Sequence, residues 1–406
     1  MPTQLLSKID ELKDTAIELH SKLVSIPAIG PDNNGSGEKE KADFIAAYLK
    51  DNGFGEVKSY NAPDERVECG YRPNLVTVIP GQDSSRTLWI ISHMDVVPVG
   101  DLSLWSSDPF TMIQDGDAIY GRGVEDNHQG LVSSVIAAKA LLQSGMTPGI
   151  NLGLIFVSDE ETGSEYGLEY MLKKHEDLFK KKDLFLVPDF GEPDSSIVEI
   201  AEKSTIWFKV TVEGKQCHAS TPDHGVNSLI AAAAMIVEIP ELKFHFDEED
   251  ELFSPPYSTF EPTKKEANVE NINTLPGKDI FYIDCRVLPN YELSEVIEQV
   301  KGMALYVAEE YGVTINVEVE TQNQAAPPTP VNSEIVDKVA FAINEVYGIE
   351  AKPGGIGGGT VAAHLRERGY QTVVWATLLH QAHQPNEKGS IANTLNDAKV
   401  MALLPF

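Results

Sequence analysis

Residues 151–167, NLGLIFVSDEETGSEYG, decide how this chain is read. The run NLGLIFV is apolar without alternation, the pattern of a strand buried on both faces of a parallel sheet. It ends abruptly in Asp159, Glu160, Glu161 and Glu165, four carboxylates within seven residues. A solvated acidic loop would account for them in a chain this acidic. The sharper reading is that one carboxylate holds a cation while its neighbour moves a proton. That reading requires His and Asp residues from distant segments to arrive at the same place.

Similar apolar runs occur at LVTVI (75–79), TLWII (87–91), LFLV (184–187) and TVVWATL (372–378), with helical stretches such as GLVSSVIAAKALLQSG and LEYMLKKHEDLF between them. Alternation of this kind predicts an α/β domain with a mainly parallel sheet flanked by helices. Ligands in such sheets bind beyond the carboxyl ends of the strands. TLWII is followed by SHMD, LGLIFV by SDEE, LFLV by PD, and TVVWATL by LHQAHQPNE. Four strand ends therefore deliver His93, Asp95, Glu160, Glu161, Asp189 and His383, and the turn GRGVEDNHQG adds Asp126 at the mouth of a helix. Asp159 and Glu165 are assigned to capping and solvent.

Imidazole and carboxylate without thiolate suit zinc, or cobalt or manganese, in a site that keeps a water. Two histidines with three carboxylates exceed what one tetrahedral ion needs, and they suit two divalent ions sharing a bridging carboxylate. His-x-Asp at a strand end fits a carboxylate that orients a ligand imidazole. Three alternatives stay open at this level. A helix N-cap is the competing role for Asp126, Glu192 competes with Asp189, and His380 competes with His383.

The 406 residues suffice for two or three domains, and 42% hydrophobic content is that of a globular protein. The balance of 32 basic against 62 acidic side chains, a net charge of -30, repels phosphate backbones and anionic lipid. Neither nucleic acid nor a membrane is expected as a partner. The longest apolar run, LIAAAAMIV, is too short to span a bilayer, and the N-terminal MPTQLLSKIDELKD has no signal-peptide layout. A cytoplasmic protein is expected. Cys69, Cys217 and Cys285 are odd in number and widely spaced, which argues against a disulfide framework and a thiolate zinc site.

An amphipathic helix carrying Leu5, Leu6, Ile9, Leu12 and Ile17 opens the chain, and a second ends near Gly53. Between 204 and 320 the texture changes. TIWFKVTVEG and VTINVEVE alternate like half-exposed strands, DIFYIDCRV is a further strand, and two helical segments separate them. This predicts an inserted α+β domain of ferredoxin-like pattern at 204–320, with 1–203 and 321–406 forming the metal-binding domain.

The motifs SHMDVVP, GRGVEDNHQG, SDEETGS, VPDFGEP and HQPNE, in this order, resemble the co-catalytic zinc amidohydrolases and exopeptidases. That family includes carboxypeptidase G, acetylornithine deacetylase, succinyl-diaminopimelate desuccinylase, aminoacylase and bacterial dipeptidases. The resemblance implies a zinc exopeptidase-like catalytic domain with an inserted lid that also dimerises. It makes Asp126 the bridge, with His93 and Asp189 on one metal and Glu161 and His383 on the other. It gives Asp95 the orienting of His93, and Glu160 the general base for a metal-bridged water that attacks an amide carbonyl. GKQCHASTPDHGVNS resembles the family's lid motif, whose histidine, here His218, reaches across a dimer to the oxyanion. NINTLPG and DCRVLP resemble lid segments in which Asn273 and Arg286 hold the substrate carboxylate, a task suited to a guanidinium.

GGIGGGTVAAHL is not a dinucleotide fingerprint, since neither a preceding strand nor a following acidic residue is expected. It resembles the family's substrate-facing glycine loop, and Gly359 and Thr360 are its candidate contacts. Thr360 stands where many deacetylases have Asp, which leans toward the dipeptidase-like branch. The expected function is metal-dependent hydrolysis of N-acyl amino acids or short peptides by a homodimer. Desuccinylase or acetylornithine deacetylase activity is the alternative, and a non-catalytic binding paralogue is disfavoured by the intact Glu160 and ligand set.

Overall fold

The computed structural model describes residues 2–406. The chain folds as two compact units, one running to Ile200 and resuming over Thr329–Pro353 and Thr360–Phe406, the other comprising Ala201–Pro328 with Gly354–Gly359. The expected insert, 204–320, lies within the second unit.

The main sheet has eight strands in the order Val57–Pro63, Tyr71–Ile79, Ile150–Val157, Asp83–His93, Leu184–Val187, Gln371–Val374, Ile197–Glu202, Lys352–Ile356. Its four central strands, from Ile150–Val157 to Gln371–Val374, are mutually parallel. They contain the apolar runs NLGLIFV, TLWII and LFLV and the start of TVVWATL. Tyr71–Ile79 runs antiparallel to Ile150–Val157, although its apolar run LVTVI resembles the parallel set. Only residues 80–82 separate it from Asp83–His93, too few for the crossover that a parallel strand needs. Within NLGLIFV, Gly153 pairs with Trp89, and a Cβ there would meet the indole at 2.2 Å. The glycine lets the indole lie on the strand while its Nε1 donates to Asp183 Oδ2 at 2.9 Å.

Two other expectations change. The opening helix is split into Pro2–Glu11 and Lys13–Val24, with Leu5, Ile9 and Leu12 buried. TVVWATL pairs only as far as Val374, because its parallel partner ends at Val187. The chain then runs on irregularly toward His383. The helix His128–Ser144 is buried on nearly every face, packed against Lys13–Val24 and Ile391–Leu403. No helix among the described residues is long and apolar enough to cross a membrane.

The second unit has the strand order Thr259–Lys265, Lys278–Val287, Ser204–Glu213, Thr314–Asn323, all antiparallel. With the helices Ser228–Glu238 and Leu293–Tyr311 this is a βαββαβ arrangement of ferredoxin-like order. Phe208, Val210, Ile283, Cys285, Val296 and Val300 lie in its core. Thr259–Lys265 was not anticipated, since Pro262, two lysines and a bulge hide its pattern. These are the marks of an edge strand. All three cysteines are free.

Candidate metal centre

Three neighbouring parallel strands end side by side, and each ends in a functional group. His93 is the last residue of Asp83–His93, Glu160 and Glu161 follow Ile150–Val157, and Asp189 follows Leu184–Val187. Asp126 comes from the turn before His128–Ser144 and His383 from the irregular segment after Val374. Asp126 is not the helix cap; Asn127 holds that position, and its amide donates to Pro188 O and to Asp189 Oδ1, both at 2.7 Å.

The Asp126 carboxylate divides its two oxygens between two histidines. Oδ1 lies 2.8 Å from His93 Nε2, and Oδ2 lies 3.1 Å from His383 Nε2. His93 Nε2 is also 3.5 Å from Asp189 Oδ1, and His383 Nε2 is 3.1 Å from Glu161 Oε2. Two ligand sets result, His93 with Asp126 and Asp189, and Asp126 with Glu161 and His383. The competing residues stand outside both sets. Glu192 lies 3.7 Å from His380, whose ring approaches Gly191 O at 3.1 Å and stacks on Phe190.

Asp95 holds the site from behind. Its carboxylate accepts the backbone N–H of Glu160 at 3.1 Å and of Glu161 at 3.0 Å. His93 Nδ1 hydrogen-bonds to the Asp95 carbonyl at 3.0 Å, while the Asp95 carboxylate lies 3.6 Å away. An Nδ1–H donated to a carbonyl makes Nε2, which faces Asp126 and Asp189, the nitrogen that would bind a cation in place of its proton. Asp159, expected at the surface, is instead buried. It accepts from Tyr166 N at 3.0 Å and from Thr162, and Arg72 reaches it at 3.4 Å. Arg72 and its further partners Glu38 and Asp64 are themselves buried, so this ion-paired cluster anchors the Asp159–Glu161 turn. Glu165 is exposed as expected.

Crowded carboxylates shift one another. Burial, then the charge of Asp189, pushes the Glu160 carboxyl well above its usual range. Beside it are Ile91, Val157, Val187 and Val361, an apolar wall that explains the burial effect. Glu161 rises to about 7 through burial and the charge of Asp126. Burial alone would lower His93, but Asp189, Asp126 and Asp95 raise it well above the ordinary imidazole value. Hydrogen bonds to Asp126 and Glu161 raise His383 to about 10. Burial opposes ionisation of Asp126, and its bonds to His383 and His93 outweigh that and lower it. Such mutual perturbation means that positive charge is wanted where these side chains converge. The donor set fits a divalent cation on a second count, since Glu161 Oε1 is buried without a hydrogen-bond partner.

The model of peptidase family M20/M25/M40 matches residues 89–405, from the strand that carries His93 to the last residue but one. The chain belongs to this family. It is 42% identical to an uncharacterized metallohydrolase of Methanococcus maripaludis, across 95% of this chain and 97% of that one. It is 28% identical to a succinyl-diaminopimelate desuccinylase of Nitratiruptor sp., across 92% and 94%. An aminopeptidase structure from Bacillus cereus superposes with a TM-score of 0.76 at 19% identity, covering 97% of this chain and 98% of that one. The protein is thus a metallohydrolase of the peptidase and deacylase type, dependent on divalent metal.

In this M20 metallohydrolase the remaining predicted residues belong to neither of the two ligand sets. His218 is exposed on a short ribbon, paired with Thr274, and its Nδ1 accepts from Ser220 N at 3.1 Å. Asn273 is exposed and its carbonyl accepts from Ala219 N at 2.9 Å. Arg286 donates twice to Asp284, at 2.7 and 2.9 Å, and to Gly357 O at 3.0 Å. His218, Asn273, Arg286 and Gly359 belong to the second unit, and Thr360 to the first. A strand, Lys352–Ile356, does run into the glycines, contrary to expectation. It contains Gly354 and Gly355 and stands at the end of the sheet order, so the phosphate-cradling turn after a central strand is still missing.

Two functional positions escaped the sequence reading, Glu125 and Glu387. Both are buried carboxylates that accept backbone N–H groups of the loops around the centre. No local pattern marks either one, because residues 121–127 form a turn and the partners lie far away in sequence.

Proposed function

We propose that this metallohydrolase cleaves the amide bond of N-acyl amino acids or short peptides at a centre of two divalent ions, zinc in the first instance, with cobalt or manganese able to replace it. The observation that carries this reading is the division of the Asp126 oxygens between His93 and His383. His93 and Asp189 would hold one ion, Glu161 and His383 the other, with Asp126 common to both. Bound there, the ions would polarise the scissile carbonyl and acidify the attacking water.

The proton work falls to Glu160. Its Oε2 lies 3.9 Å from His93 Nε2, next to the ligands without belonging to either set. A raised carboxyl is matched to taking a proton from water near neutrality and returning it to the departing amine. Asp95 fixes the Glu160 backbone, so the base is held by the same side chain that steadies its neighbour Glu161. In a lid-mediated homodimer, His218 would donate to the oxyanion of the partner's substrate, with Asn273 and Arg286 on the substrate carboxylate and Gly359 and Thr360 along the bound chain.

The test is a panel of dipeptides and N-acyl amino acids offered to metal-reconstituted protein, with released amine measured and Glu160→Gln as the control. Turnover of at least one class, absent from the control, is the expected result. No turnover of any amide would overturn the reading. A second reading, desuccinylation of N-succinyl-diaminopimelate, is favoured by the kinship to desuccinylases. It wins if that substrate alone is turned over. Mixed dimers of Glu160→Gln and His218→Ala chains regain activity if His218 acts across subunits. Confirmed subunit exchange without recovery overturns that role.

A further inference from the structure

Two irregular loops meet at the centre. One, residues 121–127, carries Asp126; the other, residues 379–387, carries His383. Neither has a strand of the main sheet to hold it, and the second contains His380, His383 and Asn386 at φ of 59°, 65° and 57°. Left-handed backbone at non-glycine residues is held only when the surroundings over-determine it. Here each loop supplies a buried carboxylate to the backbone of the other. Glu387 accepts from Gly123 N at 2.8 Å, Glu125 N at 2.9 Å and Asp126 N at 3.1 Å, and pairs with Arg122 at 2.8 Å. Glu125, 1% exposed, accepts in return from Leu379 N and Gln381 N. Among the described residues no other side chain accepts those two N–H groups.

We propose that Glu125 is a positioning residue that places His383, and so sets the affinity of the His383–Glu161 ion independently of the His93–Asp189 ion. This rests on the two-ion reading above. Asp126 takes its backbone support from Glu387, so loss of Glu125 leaves the shared ligand in place and frees only the segment that bears His383. Loss of Glu387 frees the shared ligand and weakens both ions. Glutamine at 125 keeps one acceptor for two donors, so Glu125→Gln falls between the wild type and Glu125→Ala.

The experiment titrates full-length, metal-stripped protein with Co(II), following the visible spectrum and calorimetry. It also measures amide hydrogen exchange at 379–382 and 123–126 in the metal-free chain. The wild type takes two equivalents. In Glu125→Ala the first binds as in the wild type and the second about 10- to 100-fold more weakly, the usual effect of removing a support behind a ligand. Exchange accelerates at 379–382 and not at 123–126, while Glu387→Gln gives the reverse exchange pattern and weakens both equivalents. Equal loss of both ions in Glu125→Ala, or unchanged binding and protection, overturns the proposal. If the wild type itself takes one equivalent, the two-ion reading fails, and exchange alone decides. Selective deprotection of 379–382 then upholds the positioning role, and unchanged protection removes it.

Discussion

The two histidines of the centre make the same kind of contact from opposite kinds of structure. His93 ends a central strand, its side chain is 2% exposed, and both ring nitrogens are engaged. His383 sits in a loop with left-handed backbone, and its side chain is 55% exposed. A sheet positions His93 through hydrogen bonds that any strand makes. His383 has no such scaffold, and the segment that bears it donates the N–H groups of Leu379 and Gln381 to the buried carboxylate of Glu125. A half-rigid, half-suspended centre has one robust ligand set and one that tolerates adjustment, with Asp126 tying them together.

The comparison breaks most completely if Asp126 is removed, because it is the only side chain common to both sets. Asp126→Ala should lose both ions by elemental analysis, with activity at background. Retention of either ion at full affinity would show that the halves are independent. Next in size is Glu160→Gln, which should retain metal while turnover falls about 100-fold or more, the range for loss of a general acid–base. Unchanged turnover in the metal-loaded variant would move the proton role to another group.

A third pair of variants sharpens the contrast between the halves. His93→Ala should lose the ion of its own set and also lower the thermal midpoint, since it opens a cavity among buried carboxylates. His383→Ala should weaken only the other ion and leave the midpoint of the metal-free protein nearly unchanged, as expected at an exposed position. Equal effects on both measures would erase the distinction.

The smallest effect is on pH. His383 is raised to about 10 by Asp126 and Glu161, so at neutral pH a cation must displace its proton. Apparent affinity for the second ion should therefore rise with pH, by about tenfold per unit for one displaced proton. Below pH 7 the slope steepens, because Glu161, raised to about 7, begins to hold a proton too. Potentiometric titration during metal addition checks this as proton release. The same shift stabilises the metal-free fold fully below the ordinary imidazole value of 6.5, and that contribution is lost as pH rises through about 10.

What was legible in the sequence divides along the same line. Continuous apolar runs declare parallel strands, and the rule that ligands gather at strand ends then selects His93, Glu160, Glu161 and Asp189 from local pattern. The same rule points to the segment after TVVWATL, but His383 lies nine residues beyond Val374, the end of its strand, and only the HQPNE motif separates it from His380. Glu125 and Glu387 were invisible because their partners are backbone N–H groups more than 250 residues away. Asp159 was misread for a like reason, since a buried carboxylate looks like a surface one until its guanidinium, 87 residues distant, is located. Thr259–Lys265 was missed because edge strands carry proline and lysine where central strands carry valine and isoleucine.

The central claim is that one carboxylate joins a strand-held and a loop-held ligand set into a single two-ion centre. Titrating metal-stripped wild-type protein with Zn(II) or Co(II), with bound metal counted after dialysis, addresses it directly. The account predicts two ions per chain at saturation, the first tighter than the second. Saturation at one ion or none would contradict it.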